Sequence, residues 1–270
     1  MSNKAPKERI KLSPYFVAYM DILGAKKYIN SDQSEDYLNK IQLLYNETIQ
    51  MLKANNQNIY RLSTKFKIFS DNIIIAMPYE SFLNDVQNSI NSLYIMMFVV
   101  FFQIVALKYS MLVRGSIVID EFYIDENFVY GKALTQAYKL ENEIANYPRV
   151  IINPKDIGKF NKADVQQRML IKDSSNLYYI DPFEYYFNEI EDFDKKEALK
   201  FVVETLKSML NENNDEKINQ KVCWFINMFN EFCKRNKYDE YLISLDKYPC
   251  DPDEIPVIYT GEMRKFENAK

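Results

Sequence analysis

Two aspartates, Asp21 and Asp71, are the residues most able to do chemistry in this chain. Asp21 follows the apolar and aromatic run Tyr15–Tyr19 and Met20, and precedes Ile22-Leu23-Gly24-Ala25. Asp71 sits in the short polar segment Ser70-Asp71-Asn72, between KFKIF and the apolar run Ile73-Ile74-Ile75-Ala76. A carboxylate at the C-terminal end of a buried strand, beside a glycine-containing turn, is where α/β proteins place chemistry. The same residue could equally cap the next helix or accept backbone N–H bonds in the turn. The chain contains no histidine, which removes Ser-His-Asp and Cys-His catalysis and every histidine-ligated metal site. Carboxylates, lysines, arginines and metal ions are left to carry a reaction.

The elements that must position these two acids follow from patterning. Tyr15–Tyr19 suits a buried strand, and Leu38, Ile41, Tyr45, Thr48 and Leu52 recur at helical spacing, giving a helix over about Glu35–Lys53. The stretch LSTKFKIFSDNIIIAMP reads as two strands joined by a tight turn at Ser70-Asp71-Asn72, closed by Pro78. Phe82 to Lys108 reads as one long helix whose second half, YIMMFVVFFQIVAL, is apolar almost all round. A membrane span needs ~20 apolar residues, and this run is shorter and interrupted by Gln103, so it reads as a buried core or interface helix. Met111–Ile119 follows as a strand, then the acidic segment DEFYIDENF, then a helix over KALTQAYKLENEIA and a strand at Arg149–Ile152.

The resulting order, β-α-β-β-α-β-α-β, is accommodated by an α+β fold: a ferredoxin-like split βαβ sheet with helices on one face. Beyond Asp156, short strands are expected at Met169–Ile171 and Tyr178–Ile180, then amphipathic helices over about Lys195–Leu210 and Glu216–Lys234. The expected division is a catalytic domain at 12–182 and a mainly helical C-terminal extension at 183–270, packed on the core without a Gly/Ser or Pro-rich linker.

Bulk properties narrow the function classes. In 270 residues, 47% hydrophobic and 15% aromatic content is ample for a packed core, and a net charge of −4 with mixed signs lacks the basic footprint of a nucleic-acid binder. Cys223, Cys233 and Cys250 lack zinc-ligand spacing and read as reduced thiols rather than a disulfide framework. The start MSNKAPKERIKLSP has no hydrophobic signal core, so a cytoplasmic location without membrane insertion is expected.

In the split βαβ arrangement the strand bearing Asp21 is central and the hairpin bearing Asp71 lies beside it. Two close carboxylates without a partner repel, so a divalent cation is their natural occupant. Oxygen ligands suit Mg²⁺ or Mn²⁺, particularly where substrate phosphates complete the coordination. Two such ions can activate an attacking hydroxyl and stabilise the leaving oxygen of an in-line phosphoryl displacement.

Three pieces in this order, FVAYMDILGAKKYI, KIFSDNIIIA and VYGKALTQAYKLE, resemble the class III nucleotidyl cyclases over roughly Pro14 to Ile152. With RGSI before the acidic segment and KVCWFINMFN near the end, the variant looks most like the bacterial Pycsar pyrimidine cyclases, which make cyclic UMP or cyclic CMP as a signal of phage infection. The resemblance implies that Asp21 and Asp71 bind two divalent cations, with Ile22 lending a backbone carbonyl. It implies that N–H groups from Leu23, Gly24, Ala25 and Lys26 hold the triphosphate at the start of the next helix. It also implies a homodimer with two sites, each using the aspartates of one subunit and the later helix of the other, and a product read by a separate effector.

Counted from Gly131, the family's ribose-orienting asparagine and charge-stabilising arginine fall on Thr135 and Lys139. Lys139 keeps the positive charge without arginine's fork, or is a solvated helix charge. The base-reading lysine and aspartate of similar adenylyl cyclases fall on Lys67 and Phe128. Phe128 cannot accept from an exocyclic amine and its ring takes up space, which leans toward UTP over CTP or a purine. Lys67 could equally be an exposed strand position. Arg114 is expected to contact phosphate or an interface, or to form a structural salt bridge. Asp120, Glu121, Asp125 and Glu126 read as a solvated arm rather than a second metal site. A non-catalytic, nucleotide-sensing relative is the alternative from a different class.

Overall fold

The computed structural model describes residues 10–55, 64–80, 85–160, 163–173, 175–190, 194–212 and 215–248. Its centre is strand β1 (Ser13–Ile22), paired antiparallel with β3 (Asn72–Pro78) on one side and with β4 (Val113–Ile124) on the other. Helices α1 (Ala25–Ile29) and α2 (Ser34–Asn55) lead to β2 (Lys65–Phe69), which pairs with β3. Helix α3 (Asp85–Lys108) then returns the chain to β4. The spatial order β2-β3-β1-β4 is the ferredoxin-like, split βαβ arrangement within an α+β fold.

Successive side chains of a strand point to opposite faces, and β1 separates them cleanly. Phe16, Ala18, Met20 and Ile22 enter the core shared with α2 and α3, whereas Val17 and Tyr19 join a second cluster with Ile74, Val118, Phe122, Ala133 and Ala137. The last two belong to α4 (Lys132–Glu143), which follows the short β5 (Val129–Gly131). Helices therefore cover both faces of the sheet rather than one. Both faces of β1 carry apolar side chains that must leave water, and α4 is what shields the second.

Helix α3 is the core helix its composition implied. Of its most apolar stretch, 83% is buried inside the protein, which accounts for an apolar surface on every side. The expected start at Phe82 lies outside the described residues. Strand β4 outruns its expected end at Ile119: Asp120, Glu121 and Phe122 pair with Tyr15, Pro14 and Ser13. The acidic run is thus strand and hairpin rather than a solvated arm. Asp120 accepts from Gln136 and Lys155, and Asp125 accepts from the backbone N–H groups of Asn127 and Phe128.

The sheet continues past β4 through β6 (Val150–Ile152), β8 (Tyr178–Ile180) and β7 (Leu170–Lys172), with β4 and β6 parallel. Between β6 and β7 lie a 3-10 turn at Pro154–Lys159 and the short α5 (Asp164–Arg168). Helices α6 (Pro182–Glu189), α7 (Lys195–Glu212) and α8 (Glu216–Asn236) build a further apolar cluster on Leu107, Leu112, Ile151 and Tyr179. Trp224 of α8 stacks on Tyr147 at 5.5 Å between centroids, meets Tyr179 at 5.6 Å, and lies under the Arg149 guanidinium at 5.7 Å. Arg149 in turn pairs with the buried Asp173. In this way the C-terminal helices are fixed to the sheet. Cys233 of α8 is a buried free thiol, while Cys223 is disulfide-bonded, against the expectation of reduced thiols throughout; Cys250 lies outside the described residues.

Gly115 lets β1 and β4 approach where the candidate site begins. It faces Met20, and a Cβ built there would stand 2.4 Å from the Tyr19 carbonyl oxygen. Gly115→Ala is therefore expected to lower stability by roughly 1–3 kcal/mol, the usual cost of overpacking. Denaturant unfolding measures it, and an unchanged midpoint would contradict the close approach.

Candidate functional site

The pairing of β1 with its two neighbours brings the site together. Asp21 lies opposite Asn72 of β3 and opposite Arg114 of β4. Ser70 and Asp71 form the two-residue turn between β2 and β3, with Ser70 in the left-handed region at φ 57, as a hairpin turn of primed type requires at its first position. The turn is docked on β1, because the Ile22 N–H donates to the Asp71 carbonyl at 3.2 Å. Asp21 and Asp71, fifty residues apart in sequence, are neighbours in space.

Their side chains interact. Burial pushes the Asp21 carboxyl above the ordinary carboxylate range, Arg114 pulls it back, and Asp71 raises it again through its charge and a side-chain hydrogen-bonding contact. Asn72 donates to Asp71 Oδ1 at 3.2 Å and accepts from the Tyr19 hydroxyl. Burial, then the charges of Glu141 and Asp21, push the Tyr19 phenol up.

Arg114 is the salt bridge among the alternatives posed for it. Its Nε and one terminal nitrogen donate to Asp21 Oδ2, both at 3.2 Å, and Nε lies 2.6 Å from Glu141 Oε1. Glu141 is 2% exposed, and burial pushes its carboxyl up to about 7, against the pull of Arg114. Two carboxyl groups, Asp21 and Glu141, thus hold one guanidinium, and Asp71 stands beside the first of them. The residue pattern around Glu141 does not mark it as functional on its own. The available signal is its spacing: Ala133, Ala137 and Glu141 recur every fourth residue, and all three are buried, so an acid stands on the apolar stripe of α4.

The turn after β1 only partly matches the expected phosphate-binding set. The Leu23 N–H is already donated to the Leu112 carbonyl at 2.8 Å, which removes Leu23. Gly24 adopts φ 80, a conformation glycine takes without steric cost. Among the described residues, the N–H groups of Gly24, Ala25 and Lys26 enter no backbone hydrogen bond. Helix α1 has only five residues, so its dipole is small and the amides themselves would do the binding.

The base-reading candidates converge elsewhere on the sheet. Lys67 of β2 donates to the Glu126 carbonyl in the β4–β5 hairpin, and Phe128 in that hairpin is 49% exposed, packed on Tyr123 at 5.5 Å. Thr135 and Lys139 are not brought to the aspartates. Both are exposed on the outer side of α4, with Thr135 Oγ1 3.4 Å from the Gly131 carbonyl and Lys139 3.9 Å from Glu143.

Among the described residues no group of three or more His, Cys, Asp or Glu side chains is arranged to hold a metal ion. The candidate donor set is the two aspartates with backbone oxygen. Its chemistry, two hard oxygen ligands in mutual repulsion, fits Mg²⁺ or Mn²⁺.

No protein-family model and no curated protein matches the chain. Solved structures similar to it include the catalytic core of a rhodopsin-guanylyl cyclase with converted specificity, in complex with ATPαS. That core is 11% identical, with a TM-score of 0.45 over 63% of this chain and 95% of its own. Another is a class III adenylyl cyclase-like ATP-binding protein from Pseudomonas aeruginosa, 11% identical, with a TM-score of 0.43 over 71% of this chain and 41% of its own.

The raised Glu141 carboxyl has a consequence for stability. Its folded pKa, about 7, lies above the ordinary 4.5, so the folded chain holds more protons than the unfolded chain between those values. The associated stability is present below that window and is lost as pH rises through about 7. In buffer freed of divalent cations, Glu141→Gln is expected to flatten the decline in unfolding free energy between about pH 5 and about pH 8. Parallel profiles for the two proteins would refute the assignment.

Proposed function

We propose that the chain is a metal-dependent nucleotidyl cyclase that converts a pyrimidine nucleoside triphosphate, UTP in preference to CTP, into the cyclic monophosphate and pyrophosphate. The observation that carries this reading is the meeting of Asp21 and Asp71 across β1 and the β2–β3 turn. The three sequence pieces that resemble class III cyclases supply the reaction type. The strand order β2-β3-β1-β4 supports the same family.

In the proposed reaction the 3′-hydroxyl oxygen bonds to the α-phosphorus. The bond from that phosphorus to the bridging oxygen breaks, pyrophosphate leaves, and the hydroxyl proton passes to solvent. Asp21, Asp71 and the Ile22 carbonyl would hold two Mg²⁺ or Mn²⁺ ions. Those ions, when bound, supply activation of the attacking oxygen and charge stabilisation of the leaving one. Arg114 fixes one Asp21 oxygen, and Glu141 fixes Arg114, so the first carboxylate is oriented before any ligand arrives. The free N–H groups of Gly24, Ala25 and Lys26 face the phosphates. Lys67 donates to a base carbonyl, and the Phe128 ring crowds out a purine and offers no acceptor for an exocyclic amine.

Thr135 and Lys139 point away from the aspartates of their own chain, so they act on the site of a second copy. This makes the working unit a homodimer with two sites. The exposed Tyr130 and Tyr138, 65% and 54% accessible, lie beside them and would pack in that interface. Residues 12–182 form the catalytic domain in this reading, and 183–270 an extension packed upon it. The enzyme acts in the cytoplasm without membrane insertion or nucleic acid, and its cyclic nucleotide goes to a separate effector in anti-phage signalling.

Incubation with an equimolar mixture of the four ribonucleoside triphosphates and Mn²⁺, with products identified by mass, is expected to give cyclic UMP foremost. Asp71→Ala should abolish that product while leaving the circular dichroism spectrum unchanged; undiminished turnover would end the proposal. Phe128→Asp restores an acceptor beside Lys67, and should raise ATP consumption relative to UTP in the same assay. A ratio that does not move would detach Phe128 from base selection.

A further inference from the structure

The turn after β1 forms one wall of a cavity of about 130 Å³ whose opposite wall belongs to the C-terminal helices. Leu23, Gly24 and Lys27 line the first side, and Met209 of α7 with Ile218 and Lys221 of α8 line the second. Lys221 is half-buried and makes no salt bridge among the described residues. Burial lowers its pKa, as does the nearby Arg114, while Asp21, Asp215 and Glu141 pull it back up. An ammonium held partly out of water with carboxylates near it, but none within ion-pair distance among the described residues, is costly. Such a group is stabilised when an anion enters beside it.

We infer that this cavity is an anion subsite that receives the terminal phosphates of the triphosphate, with Lys221 and Lys27 as its cations, so that the C-terminal helices complete the binding site rather than merely cover the sheet. The inference rests on the proposed use of a nucleoside triphosphate. The location argues for phosphate in particular. The cavity adjoins the Gly24 turn, one side of which leads to Asp21, so an α-phosphate beside the aspartates places the rest of the chain toward Lys27 and Lys221. Lysine suits this task as a compact point charge with three donors. The apolar remainder of the lining, Leu23, Leu112, Met209 and Ile218, lowers the local dielectric and strengthens each charge–phosphate contact.

The test is calorimetric titration of the full chain in Mg²⁺ with three probes: inorganic triphosphate, α,β-methylene UTP, whose α–β bridge does not break, and UMP. Lys221→Met should weaken both triphosphate probes about ten-fold or more and leave UMP binding unchanged, as expected for loss of a charge-assisted contact. Lys221→Arg should recover most of the affinity. Should Lys221→Met fail to fold, Lys27→Met, at an exposed position, should weaken the same two probes in the same direction. Wild-type affinity for both triphosphates in Lys221→Met, or in Lys27→Met if only that variant folds, would overturn the subsite. Failure of the cyclase reading looks different. In that case Lys221→Met still loses inorganic triphosphate, while no cyclic nucleotide forms from any of the four triphosphates.

Discussion

The repulsion between two carboxylates held side by side is the constraint on which this structure turns. Asp21 and Asp71 cannot relax apart, because the segments that carry them are locked by backbone pairing. Asp21 is the penultimate residue of a strand paired on both sides, and the turn of Asp71 is tied to Ile22 through its carbonyl. Arg114 relieves part of the strain from one side, and Glu141 then adds a third acid to the same cluster.

The surrounding structure serves that arrangement at two levels. Gly115 and Met20 bring β1 and β4 close enough for Arg114 to reach across to Asp21. Helix α4 carries Glu141 inward on the same stripe as Ala133 and Ala137, while Thr135 and Lys139 face outward. One helix thus contributes to the charge cluster by its buried stripe and leaves its other stripe exposed. The ion chain Glu141–Arg114–Asp21 couples α4 mechanically to the end of β1. A displacement of α4 would be felt at the first aspartate. The C-terminal helices add a second layer, since the Trp224 clamp that fixes α8 to Tyr147, Tyr179 and Arg149 also sets the position of Lys221 one turn earlier.

Much of this is legible in the residue pattern alone. The strands at Tyr15, Phe66, Ile73, Val113 and Val150, and the long helices before and after them, follow from periodicity, because a sheet or helix must turn its apolar side chains to one face. The two aspartates were legible because a lone acid at the end of an apolar run is conspicuous. The extension of β4 through Asp120 and Glu121 was not, since alternating acidic and apolar residues read equally well as a loop. Glu141 and Lys221 were hidden for a related reason: each is a single charge within a good helix-forming stretch, where a solvated face is the ordinary expectation.

The sequence alone determined the chemical vocabulary: no histidine, two aspartates in strand-turn contexts, and an apolar pattern for a central sheet. Only the tertiary structure decided which charges meet. It turned Arg114 toward Asp21, engaged the Leu23 amide with Leu112, sent Thr135 and Lys139 outward, and brought Lys221 to the Gly24 turn from two hundred residues away. The reason is physical. Periodicity is a property of neighbours along the chain, whereas Coulomb interactions and desolvation depend on distance and burial, which exist only once strands and helices have packed.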